Sequence, residues 1–511
     1  MLSPFLLPLL LAFLLMQAPA DAPKPPEAKA AEKPPEKEEA PVVTHHEIRV
    51  NGKSLKYTAT TGMMPIRDAK GDTEGHIFFM AYTLDGVGDS SRRPLMFSFN
   101  GGPGSASVWL HLGAVGPKRV VMLASGEMPA PPFHLVDNEY TWLDQTDLVF
   151  IDPVGTGYSR AAKPELNRKF WNLRGDIESV GEFIRMYLTR YERWTSPMFL
   201  VGESYGTTRA AGLSGYLIDR GIAFNGIILV SSILNFQTAS FGKGNDLPYV
   251  LYLPSYAATA WYHHKLSADL QGDLQKALKE VEGWAETAYA EALAKGDRLS
   301  AAERQATIER LARYTGLEKR FIDNSNLRVP IFSFTKELLR DEKRTVGRLD
   351  SRFKGVDESA ATATPEYDPS LAAIRPPYTT TFNQYVRGEL GYKTDLEYYI
   401  LGEGITSPWE WGPSSSRQGF PDTSDDLRSA FAKNPYMKLY VASGYFDLAT
   451  PYFATEYTLT HLGLDPTERG NIRTGEYEAG HMVYLEAKSL EKLKREVAAF
   501  LESALKKAPR D

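Results

Sequence analysis

Cysteine is missing from all 511 residues. Its absence excludes disulfides, thiolate metal sites, a cysteine nucleophile and a lipid anchor on an N-terminal cysteine. A chain of this size with 43% hydrophobic residues builds a large core without such staples, on which mainly small exported domains depend. Long basic runs are also lacking. With 58 Lys and Arg against 64 Asp and Glu, the net charge of -6 offers nothing to track a nucleic-acid backbone, and no nucleic-acid partner is expected. No internal repeat is present.

A membrane-length apolar run is missing at the N-terminus. Leu2 to Met16 is almost unbroken apolar sequence, but it is shorter than the roughly 18 to 20 residues of a spanning helix. No Lys or Arg precedes Lys24, and the small residues Ala18, Pro19 and Ala20 follow. The reading is an export signal over 1–20, cleaved after Ala20, with an uncleaved anchor as the alternative. The mature protein is then expected outside the cytoplasm, periplasmic or extracellular, and free of the membrane. From Asp21 to about Val43 the composition falls to Pro, Ala, Glu and Lys, which reads as a disordered tether.

Beyond the tether the chain has the marks of an α/β protein with a mostly parallel central sheet covered by helices. His46 to Val50, Leu55 to Thr60, His76 to Thr83 and Leu95 to Asn100 read as strands. Buried-type strands recur at Leu148 to Asp152, Met198 to Glu203, Gly226 to Val230 and Leu439 to Ser443, several of them separated by helical stretches. Between about 236 and 377 charged amphipathic helices take over, for example Ser267 to Ala294 and Ala301 to Thr315, with a loose segment from Gly355 to Pro377. This is a helical cap inserted between two parts of a sheet domain, 44–235 and 378–511.

Chemistry first shows at Gly202-Glu203-Ser204-Tyr205-Gly206. A serine between two glycines, after a buried strand and before a helix, sits on a tight corner that lifts its hydroxyl out of the sheet. Ser204 is the candidate nucleophile; an ordinary glycine-rich turn is the plainer reading. An earlier strand runs into Asn100-Gly101-Gly102-Pro103-Gly104. Consecutive glycines let backbone N–H groups approach a tetrahedral oxyanion, and the donors are assigned to Gly102 and Tyr205. A phosphate cradle would want a lysine near the following helix start, and after the loop none comes before Lys118.

The base and the acid should follow in the order Ser, Asp or Glu, His. His481 lies in the small-residue loop Ala479-Gly480-His481, whereas His461 sits in a stretch that reads as helix. Asp447 directly follows the strand Leu439 to Ser443, while Asp465 and Glu476 read as solvated loop charges. His481 is therefore the candidate base and Asp447 the candidate acid.

With these residues in hand, the chain resembles the serine carboxypeptidase family of the α/β-hydrolase fold. The resemblance rests on Asn100 to Gly104, Asp152-Pro153-Val154-Gly155-Thr156-Gly157-Tyr158-Ser159, Gly202 to Gly206, Gly444 to Asp447 and Gly480-His481. It covers roughly 95–230 and 437–501 and implies a hydrolase acting on peptides, without metal or cofactor. It further implies that Asn100, Gly101 and Glu203 bind the free carboxylate of the substrate. Two facing carboxylates cannot both stay ionised, so Glu203 is expected to have a raised pKa and the activity to favour acid. Ser98 stands where the family usually has Trp, and Ala114 where a second Glu usually supports the carboxylate-binding set. Those departures weaken the expectation of strict C-terminal recognition more than that of hydrolysis. An esterase or acyltransferase on the same machinery is the rival reading, and a non-catalytic binding or stabilising protein a more distant one. Trp409, Trp411 and Tyr378 are candidates for a pocket lining or for plain packing. Oligomeric state is open, a homodimer included.

Overall fold

The computed structural model describes residues 38–89, 92–405, 409–411 and 419–506. The expected export signal and most of the expected tether lie outside these residues. Among the described residues the first strand begins at Val42, inside the stretch read as tether.

Among the described residues nine strands carry the central sheet: β1 (Val42–Val50), β2 (Lys53–Arg67), β3 (Thr73–Leu84), β4 (Leu95–Phe99), β5 (Asp147–Asp152), β6 (Met198–Ser204), β7 (Gly226–Ser232), β8 (Lys438–Gly444) and β9 (Ile472–Tyr477). Their spatial order is β1-β2-β3-β5-β4-β6-β7-β8-β9, and the short strand Arg160–Ala161 pairs with β3 as a tenth. β1, β2 and β3 run antiparallel, as does the β3/β5 pair. From β5 to β9 every neighbouring pair is parallel. β5 and β7 are buried throughout and β6 up to Ser204, which is why they read as continuous apolar runs: both faces are covered. Alternate residues feed two cores. Phe199, Val201, Ile228 and Val230 pack on one face, and Met198, Leu200, Ile227 and Leu229 on the other.

β9 is a correction to the sequence reading, which ended the sheet at β8 and left Glu476 in a loop. Ile472-Arg473-Thr474-Gly475-Glu476-Tyr477 has no apolar run because it is the outermost strand and is buried at only two positions. The stretch read as one helix over Ser267 to Ala294 breaks at Gly272. Asp273 then caps a new helix, Leu274–Trp284, by accepting from the Lys276 N–H. The segment read as loose up to Pro377 is already helix from Pro369 to Gly388, with Pro376 and Pro377 inside it. Prolines mark a break in sequence; here buried Ile374, Tyr378 and Phe382 tie the helix to the core and outweigh them. A boundary at 377 therefore falls inside a helix.

The inserted helices have a core of their own. Tyr256 stacks on Phe334 at 3.9 Å between ring centroids, within a cluster that includes Tyr289 and Leu311. Among the described residues no helix is long and apolar enough to cross a membrane.

Candidate active site

Ser204 ends β6 and immediately precedes the helix Tyr205–Ile218. Its backbone is held at φ 60° and ψ -132°, a conformation that costs energy for any side chain bearing a Cβ. The flanking glycines make the corner feasible. A Cβ at Gly202 would lie 2.2 Å from the Gly206 carbonyl oxygen, and one at Gly206 would lie 2.9 Å from that of Phe99.

The glycine loop after β4 closes on this corner. A Cβ at Gly101 would stand 2.4 Å from the Tyr205 nitrogen, so only glycine allows the loop to come so near an expected oxyanion donor. Gly102, the other expected donor, has φ +100°. Beneath the corner, Arg209 Nη1 donates to the Asn100 carbonyl at 2.7 Å, and Asp176 Oδ2 accepts from both Arg209 Nε (2.9 Å) and the Tyr205 hydroxyl (3.0 Å). This buried charged pair ties the glycine loop to the helix that follows Ser204.

Asp447 follows β8 and His481 follows β9, so neighbouring parallel strands deliver both at the same edge. His481 Nδ1 lies 2.8 Å from Asp447 Oδ2, and both side chains are buried. Asp447 Oδ1 accepts from the N–H groups of Ala449 (2.7 Å) and Thr450 (3.0 Å), which fixes the carboxylate. Burial works to lower the His481 pKa, but the Asp447 and Glu203 carboxylates outweigh it and hold the imidazole above its ordinary value. The His481 loop lies one strand away from the candidate nucleophile. Ser232 pairs in register with Ser204, and Ser231 Oγ donates to the His481 carbonyl at 2.5 Å. Among the described residues no hydrogen bond joins the Ser204 hydroxyl to His481; such contacts tighten in substrate complexes.

Asn100 and Glu203 meet. Asn100 Nδ2 donates to Glu203 Oε1 at 3.0 Å, while Asn100 Oδ1 accepts from the Leu110 N–H at 3.0 Å and so fixes the amide. The Tyr484 hydroxyl donates to Glu203 Oε2 at 2.5 Å. Burial pushes the Glu203 carboxyl up to about 7, against the opposing pull of His481 and the two hydrogen bonds.

The other candidates fall elsewhere. His461 is exposed at the end of the helix Tyr452–Thr460, its Nδ1 on the Tyr457 carbonyl. Asp465 caps the short helix Pro466–Arg469. Trp409 and Trp411 pack edge-on against Tyr205, at 5.4 and 6.1 Å between centroids, and Tyr378 is buried beside Trp109. Ser98 is buried inside β4, and Ala114 is buried in the turn of helix His111–Val115. The Asp152 to Ser159 block forms a turn closed on itself, with Ser159 Oγ donating to the Asp152 carbonyl and Asp152 Oδ1 accepting from the Ser107 N–H.

Sequence reasoning missed Thr450 and Tyr484. Thr450 Oγ1 lies 2.8 Å from Asp447 Oδ2 and 3.2 Å from His481 Nδ1. Its position three residues after Asp447, where an Asp side chain readily caps a turn, was a usable signal. Nothing local points from Tyr484 to Glu203.

A family profile described as serine carboxypeptidase matches residues 51–494. Serine carboxypeptidase-like 13 from Arabidopsis thaliana is 26% identical over 154 residues, 30% of this chain and 33% of that protein. The pheromone-processing carboxypeptidase KEX1 of Saccharomyces cerevisiae (strain JAY291) is 32% identical over 155 residues, 28% of this chain and 20% of that protein. The matched stretches thus span at most about a third of these relatives. The crystal structure of KEX1(delta)p, a prohormone-processing carboxypeptidase from Saccharomyces cerevisiae, superposes with a TM-score of 0.52 at 18% identity. That alignment covers 87% of this chain and 91% of that one. The likeness is one of fold, and the fold is that of the α/β-hydrolases.

Proposed function

The chain belongs to the serine carboxypeptidase family, and from that membership we propose that it is an exported serine carboxypeptidase, releasing C-terminal amino acids from peptides through an acyl-enzyme and working best in acid. The observation that carries this reading is the buried Asn100–Glu203 pair, whose carboxyl sits next in sequence to Ser204. A carboxyl pushed up to about 7 is neutral in acid and donates a hydrogen bond to the ionised end of a peptide; above that value it repels the same group. Export is supported by the apolar Leu2 to Met16 stretch and the small residues after it.

In the mechanism, His481 takes the proton of the Ser204 hydroxyl as the oxygen attacks the last peptide carbonyl. Asp447 orients the imidazole and stabilises its charged form. The N–H groups of Gly102 and Tyr205 hold the oxyanion. His481 then gives its proton to the leaving amine, and the C-terminal amino acid departs. Water, deprotonated by the same imidazole, attacks the acyl-enzyme; its oxygen stays on the shortened peptide, and its proton returns to Ser204.

Release of the last residue from a blocked dipeptide, compared with its amidated twin, tests the reading. The free acid should be strongly preferred, Ser204→Ala should abolish release, and a fluorophosphonate should label Ser204. Unchanged release by Ser204→Ala would overturn the assignment. Ser98 and Ala114 favour a second reading, an esterase on the same triad; indifference between the two dipeptides with rapid ester cleavage would select it.

A further inference from the structure

We propose that Tyr484 is a positioning residue for substrate recognition: its phenol braces Glu203 in the orientation that meets the C-terminal carboxylate of a peptide. This deepens the carboxypeptidase reading and rests on it.

Glu203 has two anchors on different elements. Asn100, on the glycine loop, donates to Oε1 at 3.0 Å, and Tyr484, on the loop that carries His481, donates to Oε2 at 2.5 Å. One bond to each oxygen fixes the plane of the carboxyl group, which a single bond would leave free to rotate. Asn100 is itself held by the Leu110 N–H. Tyr484 is held by packing. It is buried, and a Cβ at Gly113 would stand 2.3 Å from its ring and 2.8 Å from the Tyr378 hydroxyl. A glycine at 113 therefore makes the space that the phenol occupies. The neighbouring Ala114 carries no polar group to take that place.

The chemistry of the brace suits a carboxyl that must change state. A phenol donates to the ionised form and equally to the carbonyl oxygen of the neutral one, so the contact survives proton transfer and leaves the carboxyl proton, on the other oxygen, for the substrate. A second carboxyl in its place would add a charge to a site already facing Asp447. The charged and titratable groups around Glu203 are His481, which favours its ionised form, Asp447, which opposes it, and the phenols of Tyr484 and Tyr378. Tyr484 lies three residues after His481, so one loop supplies both the base and the brace.

The test measures kcat and KM for a blocked dipeptide and its amidated twin across pH, in the full-length protein and in Tyr484→Phe, Glu203→Gln and the double variant. Loss of a hydrogen bond to a charged group should raise KM for the free acid by about tenfold, with a smaller change in kcat. The loss on the amide should be smaller. The alkaline limb of kcat/KM should move up, because the phenol donates to the ionised form. In the Glu203→Gln background the effect of Tyr484→Phe should largely disappear. Gly113→Ala, which pushes the ring aside without removing the hydroxyl, should repeat the selective loss if the Phe variant folds poorly. Equal losses on both substrates, or an undiminished effect in the Glu203→Gln background, would overturn the proposal. A wild type indifferent to the free acid sinks the carboxypeptidase reading and the brace together. A wild type that prefers the free acid, with an indifferent Tyr484→Phe, overturns the brace alone.

Discussion

The backbone N–H of His481 donates to the Leu349 carbonyl at 2.6 Å, so the loop carrying the candidate base hangs on a residue more than 130 positions earlier in the chain. Two further contacts secure the same junction. Arg352 Nη1 donates to the Glu478 carbonyl at 2.8 Å while its Nη2 pairs with Asp350 at 2.7 Å, and a Cβ at Gly480 would lie 2.5 Å from the Asp350 side chain. The inserted segment is thus part of the candidate catalytic frame.

Displacing this junction should show in turnover before it shows in binding. Gly480→Ala, which drives a methyl into Asp350, is expected to lower kcat by about a hundredfold, the scale of a misplacement of roughly 1 Å. Arg352→Ala should cost less, about tenfold. Steady-state kinetics on a blocked dipeptide check both, and a kcat equal to wild type for Gly480→Ala would show that the junction does not position the base.

Asp447 and Thr450 share His481 Nδ1 as a partner, and their losses should differ in size. Asp447→Asn removes the charge that stabilises the imidazolium and should lower kcat by roughly 10^4-fold. Thr450 has one hydroxyl proton to offer either Asp447 or the Ser231 carbonyl, which it reaches at 3.0 Å. Thr450→Val should therefore reduce kcat by about tenfold, with Thr450→Ser close to wild type. A Val variant as active as wild type would assign Thr450 to packing alone.

Glu203 and His481 share a pH window. Glu203 must be neutral to bind a carboxylate and His481 neutral to act as base, so C-terminal release should fall as pH rises through about 7. An ionised Glu203 raises the His481 pKa, and its protonation removes that push, leaving a neutral base at lower pH. Glu203→Gln, which stands in for the neutral carboxyl, should accordingly erase the alkaline limb of kcat/KM and leave the acid limb close to that of wild type. The sign for stability follows from the same shift. With a folded pKa above the ordinary carboxyl range of about 4.3, the contribution of neutral Glu203 is full below that range and is lost as pH rises through about 7. Melting temperatures of wild type and Glu203→Gln from pH 4 to 8 check it: the difference between the two proteins should change across that interval, and a constant difference would contradict it.

Arg209 and Asp176 form a fully buried pair under the Ser204 corner. Arg209→Met strands the Asp176 charge and frees the Asn100 carbonyl, and should destabilise the fold by about 3 to 5 kcal/mol. Arg209→Met with Asp176→Leu removes both charges and should recover much of that loss. Thermal unfolding distinguishes the two outcomes, and additive losses would mean that the pair is not coupled.

What the sequence determined by itself is local. Strand patterns at Leu95 to Asn100 and Met198 to Glu203, the glycines at 101, 102, 202 and 206, and the position of Asp447 after a strand are each legible within a few residues. The reason is that turn sterics and the alternation of a covered strand are set by neighbours in the chain. Tertiary structure decided the rest. β9 joins the sheet as an edge strand with little apolar signal, and Pro376 and Pro377 sit in a helix because buried partners hold it there. Tyr484 reaches Glu203 across 281 positions, and Leu349 reaches His481 because it packs against the same core of the sheet that takes in Met482 and Tyr484. No periodicity in a short window records such contacts, since they are settled by which surfaces are buried against each other once the whole chain has collapsed.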